Sequence, residues 1–149
     1  MILKRRYGGK MTDPMNDEID RVRTSWSLAA ADPQRTAQVF YANLFRLDPS
    51  TKPLFAGDLE LQGRKLTQTL SFIVDNIENT ETLLPAAVDL ARRHVDYGVT
   101  RDQYASVGAA LVEALRQLLG PAFSDEDAEA WVRVYTKLSS TMLAAAYPD

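Results

Sequence analysis

LLPAAVDLARRHVDYGV, residues 83–99, carries His94, the single histidine of a 149-residue chain. Side chains three or four residues apart share one side of a helix, so Leu83, Ala87, Leu90 and His94 fall on an apolar face. Asp89, Arg92 and Arg93 fall on the other. A titratable ring at such an address has two readings. It is either a buried imidazole that hydrogen-bonds a neighbour, or an axial ligand to a metal already held by a large organic ring. One imidazole without any thiol cannot assemble an ordinary zinc cage, so a metal here has to arrive with its own ligands.

Composition narrows the remaining classes. With 46% apolar and 25% charged residues, the chain has the proportions of one globular domain with a sizeable core. A formal charge of −3 provides no basic field for nucleic acid. Zero cysteines exclude disulfides and iron–sulfur clusters and fit a reducing, cytoplasmic setting. No apolar run reaches the roughly 18 residues of a membrane span. The opening MILKRRYGGKMTDPM is basic but has no apolar segment behind it. Residues 1–15 therefore read as a flexible N-terminal extension to a domain over 16–149, with Met11 and Met15 as alternative starts.

Helix follows helix along the domain. Ile19, Val22 and Trp26 mark the face of a first helix that ends near the alanines before Asp32. Asp32-Pro33 supplies an N-cap and a first-turn proline for a second, which carries a Phe40, Leu44, Leu47 line beside Tyr41 and Phe45. Asp48-Pro49 repeats the signal for a tight helical turn reaching Leu54-Phe55. Gln62, Leu66, Leu70, Ile73 and Ile77 share a face of the helix over about 59–79. The His94 helix stops at Gly98, and Thr100 with Gln103 forms a capping box for the next, whose apolar face is Tyr104, Val107, Leu111, Leu115 and Leu118. Gly120-Pro121 ends that helix, and Ser124 caps a last one striped by Trp131, Tyr135, Leu138 and Met142. With no strand pattern and no phosphate loop, the expected fold class is all-α in a single domain.

Several motifs stand in a telling order: Phe40-Tyr41-x-Asn43-Leu44-Phe45, Asp48-Pro49, Pro53-Leu54-Phe55, Gln62-Gly63-Arg64-Lys65-Leu66, Arg92-Arg93-His94-x-x-Tyr97-Gly98-Val99, Tyr104-x-x-Val107-Gly108 and Trp131-x-x-x-Tyr135. From about Asp17 to Ala146 the chain resembles the globin family, most closely the bacterial single-domain globins, the globin part of flavohaemoglobins and neuroglobin. The resemblance implies a three-over-three helical sandwich around haem b (iron protoporphyrin IX), with His94 as the proximal iron ligand and Phe55 wedged against the ring. It also implies a lining of Leu66 and Leu70 on the distal helix, Leu83 and Leu90 on the proximal one, and Val99, Tyr104 and Val107 beyond. Lys65 and Arg93 become expected propionate partners, and the Leu90 carbonyl the acceptor for the outward ring N–H.

On the distal side the resemblance places Gln62 and Tyr41 toward the bound gas, with Leu66 beside them. Since the one histidine is spent, bis-histidine closure is excluded. Phenol and amide both donate to the negative outer oxygen of dioxygen, which implies tight binding and slow release. One departure concerns the carboxylate that flavohaemoglobins place near the end of the last helix: the matching region here is Tyr147-Pro148-Asp149, which argues against peroxidase-like activation.

The expected function is reversible binding of dioxygen and other diatomic gases, extending to nitric oxide dioxygenation if a separate reductase supplies electrons. A gas sensor acting through a partner protein and a haem-free helical module are the alternatives. The expected state is a monomer or weak homodimer, without membrane or nucleic-acid partners.

Overall fold

The computed structural model describes residues 14–147, and its elements follow from local capping chemistry. Helix α1 spans Pro14–Ala30 and α2 spans Pro33–Leu47. Between them Asp32 accepts the Arg35 N–H at 3.2 Å, satisfying one of the otherwise unpaired donors at the start of α2. Asp48 then closes α2 through its own N–H and opens a 3-10 helix, Pro49–Phe55, by accepting from Ser50. Asp58 caps α3, Leu59–Asp75, and Asn79 precedes α4, Thr80–Tyr97. Gly98 adopts φ 90°, the left-handed C-cap that glycine takes without strain, and turns the chain into α5, Arg101–Leu119. After a 3-10 turn at Gly120–Ala122, Ser124 and Asp127 cap each other's backbone to begin α6, Asp125–Ala146.

Two boundaries differ from the sequence reading. The third long helix ends at Asp75 rather than near residue 79, and α4 begins at Thr80, ahead of residue 83. Ile77 continues the apolar period and packs on the main core, but the Asn76 cap has already closed the helix. The backbone of α1 already begins at Pro14, while residues 1–13 of the expected extension, with Pro148 and Asp149, lie outside the described residues.

Helix α2 packs on α5 in the most extensive pairing and also on α3, α1 packs on α6 and α3, and α4 packs on α6. The main core gathers Val22, Trp26, Phe40, Leu44, Leu111, Leu115 and Trp131. Its two indoles sit edge to face at 6.2 Å, and both spend their N–H groups, Trp26 on Ser71 and Trp131 on Ser25. A second, smaller cluster of Ala87, Ala91, Tyr104 and Met142 joins α4 to α5 and α6. Leu47, expected in the α2 apolar line, is 45% exposed because the helix ends there.

Where α2 meets α3 there is no room for a side chain at Gly63. A Cβ added there would stand 2.7 Å from the Ala37 Cβ, an atom fixed to the backbone. Gly63→Ala should therefore push the helices apart, at an overpacking cost of about 1–3 kcal/mol that exceeds the roughly 1 kcal/mol gain in helix propensity. The expected outcome is a lower urea midpoint at unchanged slope; a higher midpoint would contradict this close crossing.

Candidate functional site

Helices α3 and α4 are consecutive, yet they are not among the packed pairs: α3 rests on α1 and α2, and α4 rests on α6. A cleft of about 280 Å³ opens between them, lined by Gln68, Thr69, Phe72 and Ile73 from α3 and by Leu83, Ala86, Ala87, Leu90 and Arg93 from α4. The division of the core runs along the same line. Tyr41, Phe55, Leu66, Leu70 and Val107 belong to the main cluster, whereas Leu90, Val99, Tyr104 and Tyr147 belong to the second. Thus most of the residues expected on the two faces of a bound disc sit in separate clusters, whereas Val107, expected beside Val99, is in the main one and Leu83 is in neither.

His94 is on the second-cluster side. Its ring lies 5.7 Å from the Tyr104 ring, and its Nδ1 is buried without a hydrogen-bond partner. Burial lowers its pKa; the Leu90 carbonyl opposes that shift and the Arg93 charge adds to it. The Leu90 carbonyl is therefore close, as expected, although no hydrogen bond of proper geometry reaches Nδ1. The Tyr104 hydroxyl is likewise buried and unbonded, and burial raises its pKa. Two unpaired buried polar atoms on neighbouring rings are costly to leave unsatisfied.

Tyr147, at the end of α6, packs beside Tyr104. Its ring meets Tyr104 edge on at 5.4 Å, its hydroxyl donates to the Val99 carbonyl at 2.8 Å, and its own carbonyl accepts from Arg101. Nothing in the local sequence announces this return, since it depends on the last turn of α6 folding against the α4–α5 corner.

In the main cluster, Tyr41 is 6% exposed and boxed by Phe40, Phe45 and Phe55, the last at 5.0 Å. Burial pushes its pKa up to about 12, so the phenol keeps its proton at neutral pH. Among the described residues that hydroxyl makes no hydrogen bond, which leaves a donor uncommitted. Gln62 is half-buried, with its amide near Gly57: a Cβ at Gly57 would stand 3.8 Å from Nε2. Lys65 and Arg93 are exposed, and Arg93 pairs with Asp89 at 3.2 Å. An exposed pair of this kind contributes little and leaves the guanidinium free to exchange partners.

Among the described residues no group of three or more His, Cys, Asp or Glu side chains could hold a metal ion. A metal at this site must bring its own equatorial ligands, and the apolar faces between α3 and α4 suit a flat, largely apolar carrier. Of the residues expected around the ring, Leu83, Leu90 and Arg93 line this cleft, whereas His94 and Tyr41 are not part of its lining; the apolar faces and the nearby imidazole fit a metallated ring that brings its own ligands.

Comparison with known proteins gives a consistent picture. The family model described as Globin matches residues 38–142. The chain is 29% identical over 126 residues to a flavohemoprotein of Rhizobium meliloti, an alignment covering 83% of this chain and 31% of that protein. A flavohemoprotein of Halalkalibacterium halodurans is 27% identical over 125 residues, or 82% of this chain and 30% of the relative. The chain thus spans about a third of the length of the curated relatives it matches. A bacterial globin from Campylobacter jejuni superposes with a TM-score of 0.75 at 25% identity, covering 87% of this chain and 94% of the other. Ferric myoglobin from Aplysia limacina, at 20% identity, shares the fold with a TM-score of 0.77 over 87% and 96% of the two chains.

A half-buried His94 whose pKa is lowered by desolvation has a pH consequence. Because its folded pKa is depressed, the stability it confers is present above the ordinary histidine value of 6.5 and is lost as pH falls through the lower folded value. Urea unfolding of the polypeptide alone should show stability declining between about pH 7.5 and 5.5, and His94→Leu should flatten that decline. Equal slopes in the two proteins would mean that the ring is not buried.

Proposed function

The chain belongs to the globin family, and from that premise we propose that it binds haem b with His94 as axial ligand and takes up dioxygen on the Tyr41 side. Bound haem would supply an open coordination position for a diatomic gas, and the chain's own residues do the rest. The observation that carries this reading is the pairing of two uncommitted groups across a divided core. The chain's sole imidazole stands beside Tyr104 of one cluster, and a buried phenol with an unspent hydroxyl belongs to the other.

Each residue then has a physical task. His94 would hold the ring, with the Leu90 carbonyl as the acceptor toward which a small turn of the imidazole would point Nδ1–H, fixing the tautomer. Phe55 wedges the distal face and, through its contact with Tyr41 at 5.0 Å, sets the phenol's position. Tyr41 donates to the gas, and Gln62 can swing from the Gly57 side to add a second donor. Leu66, Leu70, Val107, Leu90 and Val99 exclude water from the ring, Tyr104 closes the space beside His94, and Lys65 and Arg93 balance the propionates. Holding the outer oxygen of dioxygen by charge-assisted hydrogen bonds favours retention over release.

The same arrangement supports oxidation of nitric oxide to nitrate by the retained dioxygen, with one electron per turnover returned by a reductase. We propose a reductase as the electron source; the relatives are flavohemoproteins of which the shared segment is about a third. Among the described residues no helix is long and apolar enough to cross a membrane, so the reading has no membrane-spanning element.

Haem titration should saturate at one equivalent. Tyr41→Phe should then speed dioxygen release by roughly 10- to 100-fold, the equivalent of a lost charge-assisted hydrogen bond of about 1.5–3 kcal/mol. Stopped-flow release at the unmodified rate would remove Tyr41 from the ligand cage.

A further inference from the structure

Gln103 is one of the few buried polar side chains, 7% exposed, and its amide is committed in two directions. Its Oε1 accepts the Thr100 N–H at 2.8 Å, and its Nε2 donates to the Ser50 hydroxyl at 3.1 Å and to the Ser50 carbonyl at 3.4 Å. The orientation is dictated: a backbone N–H can only donate, so oxygen must face Thr100, and the amine is left for Ser50. Ser50 in turn donates to Asp48, which also accepts from Ser106 at 2.6 Å and whose carboxyl these bonds hold below the usual range.

These contacts join two regions that nothing in the primary sequence connects. On one side, Thr100 follows Val99, whose N–H is held by the His94 carbonyl at 2.9 Å. On the other, Ser50 lies in the first turn of the 3-10 helix that ends at Phe55, and Phe55 touches Tyr41. A side chain here must accept and donate across two gaps at once. Glutamate cannot donate, lysine cannot accept, and asparagine is one methylene shorter.

We propose that Gln103 is a positioning residue that couples the His94 corner to the 3-10 helix carrying Phe55, and so sets the distance between the proximal ligand and the distal donor Tyr41. This rests on the haem-binding reading above. Loss of the brace lets the two walls relax independently, and the polarity around the bound gas changes although Gln103 touches neither gas nor ring.

Two vibrational bands of the haem-loaded protein test it: the iron–histidine stretch of the ferrous form for the proximal wall, and the C–O stretch of the carbon monoxide adduct for the distal wall. Gln103→Met should shift or broaden both bands, while Ser50→Ala should move the C–O band alone. In dioxygen release the two substitutions should be non-additive, each accelerating it by roughly 2- to 12-fold and the double variant by no more than the larger single effect. Should Gln103→Met fold poorly, Gln103→Glu keeps the acceptor for Thr100, and it should move the C–O band with the iron–histidine band unchanged. If Gln103→Met shifts only the iron–histidine band, or Gln103→Glu leaves the C–O band unmoved, Gln103 is a helix cap and the coupling is refuted. Failure of the unmodified protein to take up haem would refute the functional reading instead, so the two failures are distinguishable.

Discussion

Everything in this structure depends on α4 being held away from α3. Consecutive helices ordinarily pack on each other, since that is the cheapest way to bury two apolar stripes. Here α4 is drawn onto α6 instead, through Ala87, Ala91, Tyr104 and Met142, and pinned at its C-terminal end by Gly98 and by the Tyr147 bond to Val99. Meanwhile α3 is pulled against α2, where Gly63 allows contact with Ala37. The two anchors oppose each other and leave apolar surface on both helices facing a gap. Such a gap costs free energy unless something apolar enters it, so the fold itself argues for a ligand.

The chemistry on the two sides of the gap is unequal. On the Tyr41 side a neutral phenol is enclosed by aromatic rings and keeps its proton. Around His94, Arg93 is the charged group whose field reaches the ring, and it disfavours protonation. Tyr147, standing beside Tyr104, spends its hydroxyl on a backbone carbonyl. A proximal imidazole in these surroundings receives no anionic partner from Tyr147. Under the proposed haem-binding function, that balance would favour holding dioxygen by distal hydrogen bonds over breaking it by electron release from the proximal side.

Much of this was legible in the sequence where the determinants are local. Asp32-Pro33, Asp48-Pro49, Gly98 and Ser124 each cap or break a helix by bonds within four residues, and each lies at the boundary it marks. The apolar address of His94 was readable from period alone. Long-range commitments were not. Ser50 and Gln103 are 53 positions apart, and Val99 and Tyr147 are 48, so neither pairing leaves a periodic trace. The intimacy of Gly63 with Ala37 was also hidden, because glycine within a helix looks like a weakness until the neighbouring helix is in place.

The central claim is that His94 ligates the iron, and the chain's single histidine makes this unusually direct to test. Resonance Raman spectra of the ferrous, haem-loaded protein can be recorded with natural-abundance histidine and with histidine labelled by nitrogen-15 at both ring positions. The account predicts one low-frequency iron–histidine band that moves to lower wavenumber with the label. A ferrous spectrum containing no label-sensitive band would contradict it.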